Sequence, residues 1–95
     1  MIVSLESEAE AQLYDLAEII DDLNISGAGA RWINRFLDFI ESYAHSNVSY
    51  ALCQDERLAA LNYSCITYNH KWVVAFIIVN DEMRVYELIH GALLK

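Results

Sequence analysis

Trp72-Val73-Val74-Ala75-Phe76-Ile77-Ile78-Val79 is apolar at all eight positions. A run of this length, rich in β-branched and aromatic residues, reads as a strand buried on both faces. A chain that contains such a strand must supply neighbours on both edges and cover above and below. The flanking residues provide the turns. Asn69-His70-Lys71 precedes the run and Asn80-Asp81-Glu82 follows it. Tyr63–Tyr68 and Arg84–His90 then read as partner strands of a three-stranded antiparallel meander.

The amino-terminal half has a different period. Met1–Leu5 is short and apolar and reads as an opening strand. Ser7 and Glu10 have the spacing of a capping box, and Leu13, Leu16, Ala17, Ile20 and Leu23 recur at helical spacing, predicting a helix from Glu8 to Leu23. Gly27-Ala28-Gly29 reads as a helix break, with Ser26 able to cap a second helix whose inner face is Ile33, Phe36, Leu37, Ile40 and Ala44. That helix fades at His45-Ser46-Asn47. Two amphipathic helices with a tight break predict a helical hairpin. The expectation is one α+β domain over residues 1–95, in the order β-α-α-β-β-β, with the hairpin packed on a small antiparallel sheet.

A hairpin covers one face of a sheet. The other face of the apolar strand would then be open, and a large open apolar face marks a partner surface. The expected docking residues are Trp72, Val74, Phe76, Tyr86 and Leu88, with Leu93 and Leu94 near the carboxy terminus. The alternative is that residues 48–62 fold over the open face and hide it.

Charge narrows the partners. The net charge is −8, residues 1–30 hold seven acids and no Lys or Arg, and all six basic residues lie at Arg31 or later. Affinity for nucleic acid comes from cations that displace counterions from phosphates, so direct DNA or RNA binding is disfavoured. A protein partner with a basic surface is favoured. No basic region followed by an apolar stretch opens the chain, and the longest apolar run is too short to cross a membrane as a helix, so a cytoplasmic location without membrane association is expected.

No cofactor or metal is expected. Cys53 and Cys65 lack CxxC spacing and read as two buried or half-buried thiols, and the three histidines are dispersed. Ser64 has no evident activating base. Gly27-Ala28-Gly29 lacks the strand and the further glycine of a dinucleotide loop. Asp55 reads as the cap of a short helical turn through Leu61, with Arg57 free to pair with a helix acid. His45 and His70 fall in turns. His90, at a strand end, is either a structural imidazole or an acid–base group.

Two segments carry a family resemblance. Leu52-Cys53-Gln54-Asp55-Glu56-Arg57-Leu58-Ala59-Ala60-Leu61-Asn62-Tyr63 resembles the stretch before the sheet in RelE/ParE-type toxins, where some branches read L-x-x-D-E-R-L-A-x-L-G-Y-R. Val85-Tyr86-Glu87-Leu88-Ile89-His90-Gly91-Ala92 is similar to that family's final strand, V-x-I-x-x-I-x-H-G-A-R or a variant with Y-G-R-R. The element order also agrees. The resemblance implies the toxin of a type II toxin–antitoxin, or plasmid stabilisation, module, held inactive by an antitoxin protein. RelE-like members cut messenger RNA in the ribosomal decoding site with Lys, Arg and an acid–base group. ParE-like members poison DNA gyrase.

The chain departs from the pattern at the cations. Ser64 replaces the arginine after the Gly-Tyr pair, Asn62 replaces the glycine, and Ala92-Leu93-Leu94 replaces the final arginines. Candidates for phosphate contact or proton transfer reduce to Arg57, Arg84, His90 and Lys95. The expectation is therefore a ParE-like protein that acts by docking, with homodimerisation as a further expectation. The alternatives are a RelE-like endoribonuclease and a non-toxic relative kept as a binding module.

Overall fold

The computed structural model describes residues 2–23, 27–45 and 51–90. Its elements are β1 (Ile2–Leu5), α1 (Ser7–Leu23), α2 (Ala28–Ala44), α3 (Glu56–Ala60), β2 (Ser64–Tyr68), β3 (Trp72–Val79) and β4 (Glu82–His90). The four strands form one mixed sheet in the order β1-β4-β3-β2. The expected meander is present: β3 pairs antiparallel with β2 and with β4. The opening strand adds to it in parallel with β4, from Ile2 opposite Glu82 to Leu5 opposite Val85, so the sheet is mixed and not wholly antiparallel as expected. The apolar run thus occupies an interior strand, as its composition requires.

Both hairpin turns use left-handed residues other than glycine. Asn69 and His70 have φ of 56° and 60°, and Asn80 and Asp81 have φ of 50° and 64°. Positive φ at both central positions matches the twist of the flanking strands, and Asn and Asp tolerate it best among non-glycine residues.

The helix ends differ from expectation. α1 begins at Ser7 itself, and the Glu10 amide donates to the Glu6 carbonyl at 2.9 Å, so the boundary falls one residue before the serine. Ser26 lies outside the described residues. The start of α2 is held by Asp21 of α1, whose Oδ1 accepts from the Gly27 amide at 3.1 Å and the Gly29 amide at 2.8 Å. Gly27 adopts φ 93° at the cap position. Gly29 is no break but a residue inside α2. A Cβ there would lie 2.2 Å from the Ala17 carbonyl oxygen, so its hydrogen side chain lets the two helices approach closely.

The main core lies between the hairpin and the sheet. It contains Leu13, Phe36, Ile40, Val74, Phe76, Met83, Val85 and Leu88. Aromatic rings fill the space between α2 and β2: Trp32 stacks on Phe36 at 5.4 Å, and Tyr68 meets Phe39 at 4.9 Å and Phe36 at 5.4 Å. Gln12 closes the seam between α1 and β4, where its Oε1 accepts from the Leu88 amide at 2.8 Å.

Candidate functional site

The face of the sheet turned away from the hairpin is the candidate site, and a β-bulge shapes it. Ala75 pairs with Glu87 and Phe76 with Val85, so Tyr86 is an extra residue on β4. A bulge reverses the side-chain alternation beyond it. Tyr86 and Glu87 both reach partners on this face. The Tyr86 ring stacks on Tyr63 at 5.2 Å, and Glu87 takes two hydrogen bonds at 3.2 Å from the Arg57 guanidinium of α3. Val85 and Leu88, by contrast, lie buried on the hairpin side.

The expected docking residues are therefore split. Val74, Phe76 and Leu88 are buried beneath the hairpin, with Val74 and Phe76 at 0 % exposure. Trp72 packs edge-on against Trp32 of α2 at 5.9 Å. Among the described docking candidates, only Tyr86 lies on the face away from the hairpin. Leu93 and Leu94 fall outside the described residues. Period-2 alternation grouped Tyr86 with Leu88, and the bulge separates them.

The candidate face is also less open than a hairpin fold alone implies. Residues 51–63 lie across its centre. Leu58 is fully buried and forms a second small cluster with Cys53 and Ala75, flanked by Tyr63, Cys65 and Ile89. Asp55 caps α3 as expected, its side chain accepting from the Leu58 amide at 3.2 Å. Asn62 adopts φ 62°, the left-handed conformation that glycine favours. None of the strongly exposed large hydrophobics belongs to β2, β3 or β4. The covering-segment alternative thus describes the centre of the face. Val73, Ile77 and Val79 remain half-buried around it.

Cys53 and Cys65 are not free thiols but a disulfide, with Cα atoms 4.9 Å apart. The twelve-residue spacing carried no sign of this, because the pairing comes from an antiparallel contact. The Cys53 amide donates to the Tyr63 carbonyl at 2.9 Å, and Leu52 pairs with Ser64. That short ladder brings residue 53 beside the start of β2. Beside the disulfide opens a cleft of about 610 Å³, lined by Leu52, Cys53, Asp55, Cys65, Thr67 and Val73.

Among the described candidates for phosphate chemistry, both arginines are paired with carboxylates and His90 lies apart from Arg57. Arg57 is tied to Glu87 of β4, not to a helix acid, and Arg84 to Glu82 on its own strand. Each guanidinium is held above its ordinary value, first by the hydrogen bond to its carboxylate. Arg84 also lowers the Glu82 carboxyl, with Ser4 adding a hydrogen bond. Burial, then the nearby Glu87 charge, raises the Tyr63 phenol, the wrong direction for a base at neutral pH. His90 packs edge-on against Trp72 at 4.9 Å, and Trp72 faces α2, so His90 lies on the opposite side of the sheet from Arg57. Lys95 is outside the described residues. Among the described residues no group of His, Cys, Asp or Glu forms a metal set, and no helix is long and apolar enough to cross a membrane. No family model and no curated protein matches the chain.

Proposed function

We propose that this chain is the toxin-like component of a type II toxin–antitoxin module, closer to ParE than to RelE, which acts by docking on a protein such as DNA gyrase and is restrained by an antitoxin. The observation that carries this reading is the state of the cations. A nuclease must hold and stabilise a phosphate that gains negative charge in the transition state. Arg57 and Arg84 each carry a carboxylate on the guanidinium, and His90 lies across the sheet from Arg57. The resulting face has paired charges, two stacked tyrosines and half-buried aliphatics around a small apolar cluster. Such a surface suits protein recognition, where Tyr and Arg are enriched.

A cytoplasmic location belongs to the same proposal. Disulfides are rare and usually transient in that compartment. The Cys53–Cys65 bridge would there be a changeable element rather than a permanent staple.

Expression of the chain without a partner tests the reading. The expected outcome is growth arrest with accumulating DNA breaks and intact transcripts. Codon-specific cleavage of messenger RNA in a translating extract would eliminate it.

A further inference from the structure

We infer that the Cys53–Cys65 disulfide is a redox latch: when closed it holds residues 51–63 over the face of the sheet away from the hairpin, and when reduced it releases that segment and bares the apolar strip beneath it. The inference deepens the docking proposal and rests on it for its biological meaning.

Two packing units of unequal size share the sheet. The hairpin side holds the large aromatic and aliphatic core. The other side holds three buried residues, Cys53, Leu58 and Ala75, with Tyr63, Cys65 and Ile89 half-buried around them. Leu58 is the single large residue that the covering segment buries completely. Among the described residues, the remaining non-covalent ties between cover and sheet include the Leu52–Ser64 pair, the Tyr63–Tyr86 stack and the exposed Arg57–Glu87 ion pair. Exposed ion pairs add little, because solvent screens them. The Asp55 cap lies within the segment and moves with it. The disulfide is thus the strongest link between cover and sheet, and cutting it leaves the larger core intact.

The bridge borders a cleft of about 610 Å³ beside Thr67 and Val73, with Cys53 buried and Cys65 half-buried, so Cys65 is the more open of the two. A dithiol reductant supplies the chemistry. Its thiolate attacks one sulfur of the bridge, and the other leaves as a thiolate that takes up a proton. The second thiol of the reductant then displaces the first cysteine from the mixed disulfide. Two electrons and two protons pass to Cys53 and Cys65, and the reductant leaves as its own disulfide. The sequence holds no third cysteine, so no internal thiol can shuffle the bridge. Release exposes Ala75 together with Val73 and Ile89, beside Ile77 and Tyr86.

The bridge spans a separation of twelve residues. Removing a link across a loop of that length shifts the equilibrium for releasing it by roughly a hundredfold. Amide hydrogen exchange on the full chain, oxidised and then reduced with dithiothreitol, reads this directly. Amides of residues 52–63 are expected to exchange roughly a hundredfold faster after reduction, those of α1, α2 and β3 at unchanged rates, and reoxidation restores the slow rates. The Cys53→Ser/Cys65→Ser double variant is expected to exchange fast with or without dithiothreitol. Two free thiols in the unreduced protein, unchanged exchange on reduction, or acceleration of all amides together would each overturn the latch. A segment that opens in a protein causing no growth arrest supports the latch and counts against the docking proposal alone.

Discussion

The two faces of the sheet bury the same strand by different means. On the hairpin side, α1 and α2 bring Leu13, Phe36 and Ile40 onto Val74 and Phe76, and several aromatic rings interlock. On the other side a five-residue helix and its flanks bring one fully buried large side chain, Leu58, onto Ala75. What the second face lacks in apolar area is made up chiefly by the disulfide, since the exposed Arg57–Glu87 pair adds little. The contrast teaches that a strand apolar on both sides requires two covers but does not require equal ones. The thinner cover is the one that can move, because few buried contacts hold it.

The largest expected effect sets the two sides directly against each other. Phe76→Ala should lower the unfolding free energy by about 3–5 kcal/mol, since it removes a ring from the closed core. Leu58→Ala should cost about 2 kcal/mol, the lower end for a buried leucine. It should also accelerate hydrogen exchange in residues 52–63 while leaving α1 and α2 unchanged. Urea unfolding gives both free energies. Equal costs with no local opening would break the distinction between the two covers.

A smaller effect tests how the hairpin closes. Asp21 accepts from two α2 amides, so Asp21→Ala should cost about 1 kcal/mol, the ordinary value of a helix cap. The loss should appear in α1 and α2 amides and not in residues 52–63.

The smallest effect concerns the charged rim. Glu82 is held below the usual carboxylate range by Arg84. A carboxyl depressed in the folded state stabilises the fold above its unfolded pKa, and this contribution is lost as pH falls through the folded value. An NMR titration should place Glu82 below an ordinary glutamate in the native chain and return it to the ordinary range in Arg84→Ala. An unchanged titration in the variant would show that the pair does not set the charge on this face.

Much of the architecture was legible from residue pattern. The apolar run located the interior strand, the polar segments Asn69-His70-Lys71 and Asn80-Asp81-Glu82 located both hairpin turns, and helical spacing located α1 and α2. The candidate face was not legible to the same degree. Assigning Tyr86 and Leu88 to one face assumed unbroken alternation, and a single extra residue on β4 reversed it. Asp21 as the cap of α2 and Glu87 as the partner of Arg57 join residues 6 and 30 positions apart. No local pattern encodes such pairs.

The sequence by itself determined which segments are strands and helices, where the chain turns, and how its few cations are distributed along the chain. These properties follow from local period, turn chemistry and charge, which are present before the chain folds. Only the tertiary structure decided which face each side chain occupies, that Cys53 meets Cys65, and that Arg57 and Arg84 are each tied to a carboxylate. Those depend on register and on close approach between distant segments, and register is set when the whole sheet closes.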